Sequence, residues 1–209
     1  MDGTYRVVVN LGLPVTDGVS SWRVPGSDTL DVLFGSATTL VPRDVVSEDA
    51  CLQCHQQLMF HGDQRTGLDG CLACHVQGAE DRYSTTDPST TPGVTIAFRV
   101  MLHKIHAGNT LTQPYVVDGY GVPYVAHTYE HVAFPRNDGG VTACTACHAD
   151  SDAWLDPSTA VCTSCHDSPD AAAHAAINTD PVFGESCDVC HGAGAAFAPD
   201  LVHSWGVAR

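Results

Sequence analysis

Positive charge is scarce in this chain. Nine Lys and Arg face 24 Asp and Glu over 209 residues, for a formal net charge of −15. That balance argues against nucleic acid and against anionic membrane surfaces as partners. Long apolar runs are missing too. No stretch approaches the ~18 apolar residues of a membrane-spanning helix, so no transmembrane segment is expected. The opening, MDGTYRVVVNLG, lacks the basic start and long apolar run of a signal peptide. Residues 1–46 contain neither Cys nor His. Stray cysteine is also absent, because all ten Cys fall in one five-residue pattern.

That pattern is what the chain has in place of the missing features. CLQCH runs over 51–55, CLACH over 71–75, CTACH over 144–148, CTSCH over 162–166 and CDVCH over 187–191. Cys-x-x-Cys-His is the signature of covalent haem attachment. The spacing has a chemical reason. Two thiols three residues apart lie on one side of a short helical turn, so each can form a thioether to one haem edge. The next residue, His, turns toward the iron. The thioether residues are therefore Cys51, Cys54, Cys71, Cys74, Cys144, Cys147, Cys162, Cys165, Cys187 and Cys190. The proximal iron ligands are His55, His75, His148, His166 and His191. A Cys-x-x-Cys pair can also be half of a zinc site or a redox dithiol. Neither explains a His after every one of five pairs, and zinc sites usually take the pairs two at a time.

Five c-type haems imply export from the cytoplasm. The signal has then been removed, or the chain is part of a longer protein. Haem propionates would add to the negative charge. The 19 Gly and 12 Pro, with few long periodic stretches, point to a loop-rich chain. The expected fold is a multihaem cytochrome c, mainly short α-helices wrapped around five haems, with a small N-terminal β segment. The expected division is 1–46, a remnant or appendage of a β domain, and 47–209, the pentahaem domain. Tyr5–Leu11 and Thr29–Phe34 read as strands, with turns at Pro14, Gly18, Pro25 and Gly26. The gap of 68 residues between His75 and Cys144 holds the clearest helix, Ile96–Ala107, preceded by Pro92 and Gly93 and stopped by Gly108. A second short helix is predicted over Pro169–Ile177 with Ser168 as its cap.

Twelve His less five proximal ligands leave seven for five distal positions: His61, His103, His106, His127, His131, His174 and His203. Two His per iron give closed, low-spin haems suited to electron transfer, at lower potential than a Met ligand would give. His103 and His106 share a helix face. His174 lies on the second helix, and His203 follows every motif. His61 follows the first motif after only five residues, too short a link to wrap round its own haem, so it is expected on a different one. The distal set is therefore His61, His103, His106, His174 and His203. His127 and His131 are surplus, and Met59 and Met101 read as core.

The blocks CLQCHQQLMFHGDQRTGLDGCLACH (51–75), FRVMLHKIHAG (98–108), HTYEHVAFP (127–135) and CDVCHGAGAAFAPDLVH (187–203) resemble the OmcA/MtrC family, outer-membrane multihaem cytochromes of metal-reducing bacteria. VLFGSATTLVPRDVVSEDACLQCH resembles that family's junction between a β domain and a pentahaem domain. The resemblance covers most of residues 30–203. It implies bis-His haems packed as a chain. It also implies extracellular respiration, with electrons passing to metal oxides, flavins, electrodes or other cytochromes. The same five distal His fall at the family's distal positions. Two departures stand out. The family usually carries two pentahaem domains with separate β domains, and Glu130 and His131 replace a stretch that is usually Ser and an acidic residue.

The leading reading is an electron conduit rather than an enzyme, with no catalytic acid or base. It could also reduce a metal or flavin terminally, by outer-sphere transfer. The expected location is extracytoplasmic: the outer face of the outer membrane or secreted, with the periplasm as the alternative. A multihaem reductase of a small nitrogen or sulfur compound would need an open iron site, and no Cys-x-x-Cys-Lys occurs. A subunit of a cytochrome filament, or of a larger cell-surface complex, is also compatible with the sequence.

Overall fold

Two long strands dominate the N-terminal part: β1 (Gly3–Thr16) and β2 (Ser21–Phe34), paired antiparallel from Gly3↔Phe34 to Thr16↔Ser21. The computed structural model describes residues 2–42, 45–81, 93–119, 125–135 and 139–203. The hairpin turn is built on Asp17, whose carboxylate accepts from the Val19 and Ser20 amides at 2.9 and 2.7 Å. Those bonds hold Asp17 below the usual carboxylate range. Gly18 supplies the positive φ of +89°. Pro14, Pro25 and Gly26 do not make turns. Pro14 lies opposite Arg23, and Pro25 opposite Gly12, inside the ladder. A two-stranded ribbon has only edge strands, and there a proline can face away from its partner.

By contact the chain divides into two units. The first comprises Met1–Val76 with Ala146–Ser151. After the hairpin it contains α1 (Glu48–Leu52), a small hairpin of β3 (Met59–Phe60) and β4 (Arg65–Thr66), and α2 (Leu68–Leu72). The face of the long hairpin that meets α2 is polar. Arg6 donates to both Asp31 carboxylate oxygens, at 2.7 and 2.8 Å, and to Asp69 of α2 at 2.6 Å. Thr29 also donates to Asp69, at 3.3 Å. The alternate residues Tyr5, Val7, Val9, Leu11 and Leu13 are exposed.

The second unit comprises Gln77–Thr145 and Asp152–Arg209. It begins with β5 (Glu80–Asp81) paired to β6 (Val94–Thr95), then α3 (Phe98–Ala107), then β7 (Val116–Asp118) paired to β8 (Ala126–Thr128). Next come α4 (Thr159–Cys162), α5 (Pro169–Ile177), the hairpin of β9 (Thr179–Asp180) and β10 (Gly184–Glu185), α6 (Asp188–His191) and α7 (Pro199–Val202). α3 packs on α4 and buries Val100 and Ala107. Ser168 caps α5, accepting from the Ala171 amide at 3.2 Å. Pro92, read as preceding α3, lies outside the described residues. Tyr115 is 4% exposed, donates its hydroxyl to the Thr95 carbonyl at 2.8 Å and stacks on Tyr129. Burial pushes both phenols up.

The fold expectation needs correction. The chain is not mainly short α-helices wrapped around haems. Among the described residues it is loop-rich and only 29% helical, and apart from the long β1–β2 hairpin its strands are short and pair in small antiparallel hairpins. Every sheet among the described residues is two-stranded. The physical reason lies in the links. In the described hairpin turns Asp17 and Gly18, Gly62 and Asp63, and Asp180 and Gly184 send the chain back on itself, so backbone groups pair across a turn instead of along a helix.

Candidate haem sites

Four of the five motifs close the same backbone turn. The amide of His55 donates to Cys51 O at 3.0 Å; those of His75, His166 and His191 donate to Cys71, Cys162 and Cys187 O at 2.9 Å. One helical turn thus spans each of these motifs and brings its two thiols to one side. The third motif starts in a tighter 3₁₀ turn, Cys144–Ala146. None of the ten Cys is in a disulfide. Burial pushes the Cys51, Cys71, Cys147, Cys162 and Cys165 thiols up.

Several imidazoles are oriented by main-chain carbonyls. On α3, His103 Nδ1 donates to Arg99 O, and His106 Nδ1 to Leu102 O at 2.8 Å. His203 Nδ1 donates to Pro199 O at 3.2 Å, and His191 Nδ1 to Phe197 O at 3.0 Å. His148 Nδ1 donates to Val45 O at 3.3 Å. A carbonyl can only accept, so the proton sits on Nδ1 and the lone pair on Nε2 faces outward for a metal.

Three pairs of rings face one another. His61 and His75 have centroids 6.0 Å apart and planes 23° apart. His166 and His203 are 6.0 Å apart at 43°, and His174 and His191 are 6.2 Å apart at 90°. In each pair one His closes a Cys motif and the other lies outside every motif. A metal–imidazole bond is about 2.0–2.1 Å. Adding the distance from nitrogen to ring centre on both sides gives about 6 Å for two rings on one iron, so the spacing fits a six-coordinate haem. His61 has a left-handed backbone, φ +56°, in a run with Gly62 and Asp63. This sparsely populated conformation turns its ring toward His75. His127 and His131 are exposed.

The family of outer membrane cytochromes described as MtrC/MtrF-like, domains II/IV, has a sequence model that matches residues 43–204. The chain belongs to that family. No curated protein matches the chain. Membership of the MtrC/MtrF-like cytochromes makes c-type haem the cofactor and multihaem electron transfer the activity. The match takes in all five Cys motifs of this MtrC/MtrF-like chain and all seven other His. Among the described residues no helix is long and apolar enough to cross a membrane.

Reading the sequence missed three acidic residues that the structure puts among the motifs. Glu48 accepts from the Leu68 amide at 2.9 Å, and Glu185 from the Thr159 amide at 2.9 Å. Asp167, directly after His166, accepts from the Gln113 amide at 2.7 Å and Thr112 Oγ1 at 3.0 Å. Burial works against its charge, but these bonds outweigh it and hold Asp167 below the usual range. The signal available was position: Glu48 and Glu185 stand three and two residues before the first Cys of a motif.

Proposed function

We propose that this chain conducts electrons through five covalently attached haems, each iron closed by two His. The observation that carries the reading is the set of three His pairs at 6.0–6.2 Å, each joining a motif His to one outside the motifs. On this reading His61 closes the haem of Cys71 and Cys74, His203 that of Cys162 and Cys165, and His174 that of Cys187 and Cys190. His103 and His106 supply the other two distal ligands.

Haem supplies one-electron chemistry. The polypeptide sets the ligation, the tautomer of each His and the surroundings. A closed iron leaves no place for a substrate, so the chain needs no general acid or base. Among the described residues the buried core is slight: Ala50, Leu58, Leu68, Ala97, Val100, Ala107, Tyr115 and Ala198 are the buried apolar residues. Five apolar haems would supply the rest. Electrons would leave through exposed haem edges to metal oxides, flavins or partner cytochromes on the outside of the cell.

Intact mass of the mature chain, with film voltammetry, tests this. The expected result is five added haems and a broad reversible wave at low potential that persists without substrate. Fewer haems, or a wave that appears only with a small-molecule substrate, would overturn it.

A further inference from the structure

Three of the helices that carry Cys motifs, α2, α4 and α6, make no side-chain cap of their own, and two of these, α2 and α4, are capped from elsewhere. The N-cap of α2 is Gly67, and that of α4 is Ser158, which makes no side-chain capping bond. In each case the first helical amide is satisfied by a carboxylate that flanks a different motif. Glu48, three residues before Cys51, accepts from Leu68 N of α2, which carries Cys71. Glu185, two residues before Cys187, accepts from Thr159 N of α4, which carries Cys162.

Both arrangements are reinforced. Gly67 has φ +76°, and a Cβ there would stand 3.2 Å from Glu48 Oε2. The bare glycine thus lets the carboxylate sit over the helix start. Glu185 pairs with Thr179 across the β9–β10 hairpin, and the Thr179 hydroxyl lies 3.0 Å from that of Thr159. Each Glu also bears electrostatically on the cysteines around it. Its charge adds to the burial that raises Cys51 and Cys71 in one case and Cys162 in the other, and Glu185 Oε2 is 3.9 Å from Cys187 Sγ.

We propose that Glu48 and Glu185 are positioning residues, each capping the attachment helix of a neighbouring haem and so locking two haem attachments together: first with second, fifth with fourth. A carboxylate at a helix start satisfies an orphan amide and favours the positive end of the helix dipole. Here the acceptor comes from 20 residues before Leu68 and 26 after Thr159. One residue's loss should therefore be felt at the other motif. This inference rests on the haem reading above.

The test uses the mature five-haem holoprotein and the variants Glu48→Ala, Glu48→Gln, Glu185→Ala and Glu185→Gln. The wild-type haem count is taken first, and a count below five fails the haem reading by itself. Hydrogen exchange by mass spectrometry then tests the inference. Glu48→Ala should speed exchange of a peptide that starts at or before Thr66, and so retains the Leu68 amide, about fivefold. Glu185→Ala should do the same at Thr159. A variant that instead loses only the haem on Cys71 and Cys74, or only that on Cys162 and Cys165, also supports the proposal. The Gln variants keep an acceptor oxygen and should restore protection. Because they remove a negative charge, they should still move part of the redox titration to higher potential. Unchanged exchange at Leu68 and Thr159 in the Ala variants, with five haems retained, would overturn the proposal. So would Gln variants no better protected than Ala.

Discussion

The rings of His61 and His75 stand 6.0 Å apart between centroids, with their planes 23° apart. His61 follows the first Cys motif in sequence, yet its ring meets the His that closes the second. The positive φ at His61, Gly62 and Asp63 makes this possible, because the chain reverses sharply between β3 and β4.

If that pair holds one iron, His61→Ala opens one haem in five. The expected outcome is a high-spin signal of that size in the oxidised protein. Peptide mapping would place the altered haem on Cys71 and Cys74. His61→Met should instead keep the iron low-spin and raise one potential. An altered haem on Cys51 and Cys54 would contradict the pairing.

The three ring pairs differ in their interplanar angle: 23°, 43° and 90°. Near-parallel and perpendicular imidazoles split the iron d orbitals differently. Oxidised protein should therefore show more than one class of low-spin EPR signal. His174→Ala should remove the most anisotropic of them and leave the class assigned to His61 and His75. One uniform signal from all haems would count against these angles.

The long hairpin is tied to α2 by Arg6 between Asp31 and Asp69. The bond from Arg6 holds the Asp31 carboxyl below the usual carboxylate range. A depressed folded pKa contributes stability that is present above the unfolded value, and is lost as pH falls through the folded value. The tie should hold at neutral pH and weaken below about pH 4. Arg6→Gln should move acid release of the hairpin to higher pH, read by limited proteolysis against pH. Identical profiles for both proteins would remove the tie from the account.

Gly67→Ala places a Cβ at φ +76°, 3.2 Å from Glu48 Oε2. The backbone strain should cost roughly 1–3 kcal/mol. The measurement is thermal melting of the holoprotein, together with haem occupancy at Cys71 and Cys74. Wild-type stability and occupancy would show that the position tolerates a side chain.

Local signals in the sequence were the ones that could be read. Ser168 and Pro169 mark the start of α5, and the apolar periodicity through Ala107 marks α3, which begins at Phe98 rather than Ile96. Strand alternation located the open end of the hairpin, but Pro14 and Pro25 hid its full length, since edge strands tolerate proline. Strands of two residues, such as β9 and β10, carry no periodicity to detect. The Cys motifs were legible because the same five-residue spacing repeats five times. The ring pairs were not: His166 and His203 meet only through the path of the chain between them. Glu48 and Glu185 escaped notice for the same reason, since each caps a helix distant in sequence.

The most direct test of the central claim is quantitative EPR of the air-oxidised protein, with haem measured on the same sample. Five low-spin haems per chain, and no high-spin fraction, are the predicted result. A high-spin signal near one haem in five would mean an open iron, contradicting a conduit in which every haem is closed by two His.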